Sequence, residues 1–152
     1  MAGCPAEPAD DVTTRGKVMA HRAFISYDYD YDARLKNLLL GQAKNPGSPF
    51  EVVDWSIKLA SRGWKTEARQ RIRASGLVIV LCGKHTRTAS GVAAEVAIAQ
   101  QEDIAYFLLA GYRRGSQRPV TAKRSDRLYE WTWPNLQAMV DGQLCPDRIA
   151  RV

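Results

Sequence analysis

Histidine is nearly missing from this chain: His21 and His85 are the only two among 152 residues. They are too few and too far apart for a histidine-based metal centre or an evident catalytic triad. Cysteine is scarce as well. Cys4, Cys82 and Cys145 make an odd number with no metal-type spacing, which favours free thiols in a reducing cytoplasm over a disulfide framework. No apolar run approaches the roughly 20 residues that a membrane-spanning helix needs. The opening stretch MAGCPAEPADD has neither a basic start nor an apolar core, so no secretory signal is expected. Glycines are not grouped into a dinucleotide fingerprint, and no G-x-x-x-x-G-K phosphate loop occurs. Aromatic stacking motifs, zinc spacings and a helix-turn-helix pattern are also missing, so no nucleic-acid partner is expected.

What is present is alternation. The expected strands are Arg22–Tyr27, Phe50–Asp54, Leu77–Cys82 and Ile104–Ala110, with helical patterns between them over Tyr31–Gln42, Trp64–Ala74 and Val92–Gln101. Asp28 or Asp30 is the expected cap of the first helix, and Leu35, Leu38 and Leu39 are its apolar stripe. Lys44–Pro49 is turn chemistry. Leu77–Cys82 is apolar throughout, as in a central strand covered on both faces. Pro134 suits the start of a last helix with Leu136, Met139 and Val140 on its buried side. Alternating β and α elements with short connections indicate an α/β flavodoxin-like three-layer sandwich: a small parallel sheet flanked by helices. A disordered lead-in over 1–18, one domain over 19–142 and a tail over 143–152 complete the expected organisation.

Function is expected where the strands end. Open parallel sheets bind ligands at the carboxyl ends of their strands, and here the first two strands stop on Ser26-Tyr27 and Asp54-Trp55. Glu95 lies in SGVAAEVAIAQQ, where nearly every neighbour is small or apolar. A carboxylate at the border of that buried face costs desolvation unless it is hydrogen-bonded or faces positive charge. It either points to water or is held beside a ligand. Cys82-Gly83-Lys84-His85-Thr86-Arg87 approaches the C-x₅-R loop of cysteine phosphatases, but Arg87 comes one residue early and closely spaced glycines are missing; Cys82 reads as a buried structural thiol. Asp28, Asp30 and Asp54 suggest a receiver domain, but the fourth strand runs into Gly111-Tyr112-Arg113 rather than a lysine. The formal net charge is +6. Much of the surplus lies between Arg113 and Arg127, a loop that is either a solvated basic surface or a patch attracting phosphate, such as a dinucleotide's pyrophosphate.

From Arg22 to about Val140 the chain resembles the TIR-like domain of the Thoeris ThsB type, a bacterial antiphage defence family. FISYDYD at Phe24–Asp30, KNPGSPFEVVDWS at Lys44–Ser56, LVIVLCGKHT at Leu77–Thr86, GVAAEVAIAQ at Gly91–Gln100 and LYEWTWPNL at Leu128–Leu136 carry the resemblance. It implies a TIR-domain NAD⁺ glycohydrolase or cyclase that releases nicotinamide and makes an ADP-ribose-derived signal nucleotide. NAD⁺ is then a substrate rather than a cofactor, and no metal is implied. The resemblance makes Glu95 the catalytic acid and places Phe24, Ser26, Tyr27, Asp54 and Trp55 around the dinucleotide. It further implies self-association on activation, a phage-derived trigger and a separate effector that reads the product. Many catalytic TIR domains carry tryptophan where this chain has Gly91, a difference that either leaves room for substrate or marks reduced catalysis. Two other readings compete: a non-catalytic interaction scaffold, and a transferase acting on deoxynucleosides.

Overall fold

A computed structural model describes residues 21–56 and 63–141. The lead-in over 1–18, the tail over 143–152, Cys4 and Cys145 lie outside the described residues. The elements follow in the order β1 (His21–Ser26), α1 (Ala33–Ala43), β2 (Phe50–Trp55), α2 (Trp64–Ala74) and β3 (Leu77–Cys82). A short 3₁₀ turn at Thr86–Thr88 then leads into α3 (Ser90–Gln101), β4 (Ala105–Ala110), β5 (Leu128–Glu130) and α4 (Trp133–Val140). All strand pairs are parallel, in the order β2-β1-β3-β4-β5. This is the flavodoxin-like α/β arrangement that the alternation predicts. Its switch point lies between β1 and β3, where successive connections leave the sheet on opposite sides and open a crevice above the strand ends.

Two cores divide the side chains by strand parity. Ala23, Ile25, Ile79, Leu81 and Leu109 face Leu35 and Leu39 of α1 and Leu136, Met139 and Val140 of α4. Phe24, Val78, Val80, Cys82 and Leu108 face Ala68 and Ile72 of α2 and Val92, Val96 and Ala99 of α3. The period of two in a strand puts alternate residues on opposite faces. Every residue of β3 is therefore covered, by one helical layer or the other. Burial of a large aliphatic side chain contributes about 1.5–3 kcal/mol, so these two layers hold the sheet.

Three local expectations change. The first helix begins at Ala33 behind Asp32, not behind Asp28 or Asp30, and Asp32 makes no side-chain cap. The Asp28 carboxylate instead accepts from the amide of Asp30 at 3.0 Å, and the Asp28 carbonyl accepts from Asp32 N at 2.8 Å. A tight turn thus takes up the Asp28 carboxylate, one of the two acids that looked like caps. Leu38 is exposed, so the apolar stripe of α1 narrows to Leu35 and Leu39. Leu128–Glu130 adds an edge strand that its three residues are too short to announce by alternation.

Candidate active site

A bulge in β2 sets the site. Ala23 pairs with Val52, but Phe24 pairs with Asp54 and Ile25 with Trp55, leaving Val53 as the extra residue. Paired residues of parallel strands point to the same face, so continuing this register puts Ser56 beside Ser26 on the α3 side. The amide of Ser56 closes that register on the carbonyl of Ile25 at 2.9 Å. Above both hydroxyls lies α3, whose Val92, Glu95, Val96 and Ala99 recur at helical spacing and are buried.

Glu95 is therefore within the buried stripe rather than at its border, and only 3% of it is exposed. Ser26 Oγ donates to its Oε1 at 2.7 Å, and Ser56 Oγ donates to the same oxygen at 2.6 Å. Oε2 has no hydrogen-bond donor among the described residues, and Glu95 lines a cavity of about 260 Å³. Burial pushes the Glu95 carboxyl up to about 7, against the opposing effect of the two serine hydroxyls, and Asp54 pushes it further up. A buried carboxylate tied at one oxygen and free at the other is an electrostatic tool aimed at that cavity.

The cavity wall is aromatic and acidic on one side. Tyr27, Asp28, Tyr29, Asp30 and Tyr31 come from the β1–α1 connection. The Tyr27 and Tyr29 rings stack with centroids 6.4 Å apart, and the Tyr31 ring lies on His85 at 3.8 Å. Burial raises the Tyr27 hydroxyl above its ordinary value, and Tyr29 and Glu95 add to the effect. On the other side, Thr88, Ala89, Ser90, Gly91 and Val92 bring the first turn of α3 to the cavity. No side chain caps that helix, so its first-turn amides lack a side-chain acceptor, the condition in which a helix N-terminus stabilises an anion.

The strand-end residues divide. Ser26 reaches Glu95, and Tyr27 lines the cavity. Phe24 shares a face with Ser26 but lies two residues deeper, 1% exposed among Ile72, Val78 and Val96, and its role is packing. Asp54 pairs with Phe24 and is held by Arg71 at 3.2 Å, below the cavity rather than in its wall. Trp55 falls on the opposite face, where the Lys36 ammonium lies 5.2 Å from its ring centre. Ser56 is the site residue that sequence reasoning misses. A serine ending an FEVVDW run carries no signal of its own, because only the bulge turns it toward Glu95.

The other candidates settle into structural roles. Cys82 is fully buried, burial raises its thiol far above the ordinary value, and its Sγ is 3.7 Å from the carbonyl of Val80. A thiol held neutral in this way is a poor nucleophile. Asp32 is 2% exposed, and burial together with Asp28 raises its carboxyl to about 6, with His85 opposing. A Cβ on Gly83 would come within 2.4 Å of the Asp32 carboxylate oxygens, so the backbone after β3 needs glycine there. Among the described residues no group of three or more His, Cys, Asp or Glu side chains is placed to hold a metal. Nor is any described helix long and apolar enough to cross a membrane.

Comparison with known families agrees with this fold. The family model for the TIR-like domain of Thoeris protein ThsB matches residues 24–110. The match runs from within β1 to the end of β4 and includes Ser26, Ser56 and Glu95. No curated protein sequence matches the chain. The match covers more than half of the residues, and the chain belongs to the Thoeris ThsB TIR-like domain family.

Proposed function

We propose that this protein cleaves the bond between nicotinamide and ribose in NAD⁺, acting in antiphage defence, with Glu95 as the catalytic carboxylate. The observation that carries the reading is the unpartnered Oε2 of a buried glutamate on the wall of a cavity of about 260 Å³. That volume suits a nucleoside-sized group. The tyrosine wall with Asp28 and Asp30 suits a flat, cationic nicotinamide ring. The open N-terminus of α3 suits the pyrophosphate that follows the ribose.

Nicotinamide leaves as a neutral molecule and takes the bonding electron pair with it, so no general acid is needed. Positive charge then develops on the ribose C1′ and its ring oxygen. A preorganised carboxylate in a water-poor site stabilises that charge more than it stabilises the ground state. The serine hydroxyls fix Oε1 and favour the ionised form, leaving Oε2 for the ribose. Attack by water, which releases a proton, gives ADP-ribose. Attack by another group of the same nucleotide gives a cyclic signal nucleotide for a separate effector. Self-association on activation, set off by a phage-derived trigger, would complete the site, so an isolated, dilute chain is expected to turn over slowly.

The test is nicotinamide release at high protein concentration, wild type beside Glu95→Gln, with products separated by chromatography. Removing one such electrostatic group costs about 10²–10³ in rate, so release by wild type alone is expected. Equal release by both proteins would remove Glu95 from the mechanism. Silence from both, in folded and assembled protein, would favour an interaction module instead.

A further inference from the structure

The basic loop after β4 is anchored, although most of its basic side chains are exposed. Gln117 N donates to the carbonyl of Gly83 at 2.9 Å, and the Gln117 side-chain oxygen accepts from Arg87 N at 3.1 Å. Thr121 Oγ1 donates to the carbonyl of Ala93 in α3 at 2.7 Å, while Gln100 Nε2 donates to the carbonyl of Thr121 at 2.8 Å. These bonds fix the loop against α3 and form a hollow of about 580 Å³ lined by Arg87, Gln117, Arg118, Pro119, Val120, Ala122 and Arg124. It shares no lining residue with the cavity at Glu95. The 3₁₀ turn Thr86–Thr88 separates them, with Arg87 on one side and Thr88 on the other.

Three arginines in one hollow repel each other unless an anion is near. Among the described residues none of the three has a carboxylate partner. The acid of the loop, Asp126, is engaged by the Tyr106 hydroxyl and by Lys123 N at 2.8 Å. Arg118 is held by its guanidinium on the carbonyl of Lys123, yet its Nε is buried without an acceptor. A buried donor left unmade is costly, which favours a shift of the Arg118 side chain that opens it to an acceptor. Guanidinium groups match phosphate oxygens in geometry as well as charge. Beside them Pro119, Val120 and Ala122 form an apolar edge, and Val120 is 66% exposed. A lone phosphate would leave that edge and most of the volume empty.

We propose that this hollow is a second ligand site, separate from the cavity at Glu95, that takes a phosphorylated nucleotide. The phosphates lie among Arg87, Arg118 and Arg124, and the base lies on Pro119, Val120 and Ala122. Because the Gln117 and Thr121 side chains bond to the backbone on either side of the start of α3, occupancy bears on the helix that carries Glu95.

The test is titration calorimetry of the full chain carrying Glu95→Gln, so that no turnover intervenes, with ADP, pyrophosphate and adenosine as probes. Expected are one ADP per chain in this hollow, besides any held at the Glu95 cavity, weaker binding of pyrophosphate and adenosine, and a loss of about tenfold or more at the hollow on Arg118→Gln, Arg87→Gln or Arg124→Gln, the size of one charge-assisted hydrogen bond. Arg87 and Arg124 are exposed, so their variants keep the test open if Arg118→Gln disturbs the loop. Ser90→Trp, which crowds the other cavity, should leave ADP binding in the hollow unchanged. No ADP binding, indifference to all three arginine substitutions, or loss of all ADP binding on Ser90→Trp would each overturn the proposal. Pyrophosphate binding as tightly as ADP would reduce the site to one for a free phosphate.

Discussion

Replacing Glu95 by glutamine should make this protein more stable, and the gain should depend on pH in a defined direction. Burial holds the Glu95 carboxyl at about 7 in the folded chain, against 4.5 for an unperturbed glutamate. Between these values the folded state keeps a proton that the unfolded chain has released. Stability contributed by this group is therefore complete below the unfolded value and is lost as pH rises toward the folded one. At about 1.4 kcal/mol per pH unit, the ionised side chain costs about 3 kcal/mol by roughly pH 8 and under about 1 kcal/mol near pH 5. Glutamine has no proton to lose. Its amide oxygen can take the place of Oε1 beside Ser26 and Ser56, with the amide nitrogen turned to the cavity as Oε2 is now. Glu95→Gln should thus gain about 2–3 kcal/mol more over wild type near pH 8 than near pH 5, seen as a rise in Tm of about 4–12 °C at the higher pH. Urea unfolding of both proteins at the two pH values measures the difference. A gain that does not change with pH, or a loss at both, would refute the claim that Glu95 carries an uncompensated desolvation cost.

Other expectations follow from the same geometry. Ser26→Ala and Ser56→Ala each remove one hydroxyl from Oε1, so the Glu95 carboxyl should rise by about one pH unit or more; the pH midpoint of activity reads this directly. Trp55→Ala should leave nicotinamide release close to wild type, because the ring lies on the α1 face beside Lys36; a large rise in KM would put the indole at the substrate. Phe24→Ala should cost about 3–5 kcal/mol in urea unfolding. Gly83→Ala should destabilise by about 1–3 kcal/mol, since the new Cβ meets the Asp32 carboxylate at 2.4 Å.

The layers of this fold were legible because burial writes itself into local pattern. β3 is apolar throughout, and α2 and β3 have the boundaries that charge and hydropathy indicate. Glu95 stood out because an acid among small and apolar residues must either be useful or be costly. What sequence could not carry was register. One extra residue, Val53, moves Ser56 to the face of Glu95 and Trp55 to the opposite one, and no residue near it marks a bulge. Phe24 illustrates the second limit: a shared face does not give depth, and two residues decide between the cavity and the core. Leu128–Glu130 illustrates the third, since an edge strand of three residues is made by its neighbour β4 rather than by its own alternation.

In the proposed reaction one ionised carboxylate, Glu95, drives cleavage from a site that resists its ionisation. The most direct test is kcat/KM for nicotinamide release from NAD⁺ across pH, on assembled protein, wild type beside Glu95→Gln. The expected wild-type profile rises with a midpoint near 7, the value burial imposes, and the variant lies about 10²–10³ lower with no such step. A wild-type midpoint near that of an ordinary glutamate, or the same step in Glu95→Gln, would contradict it.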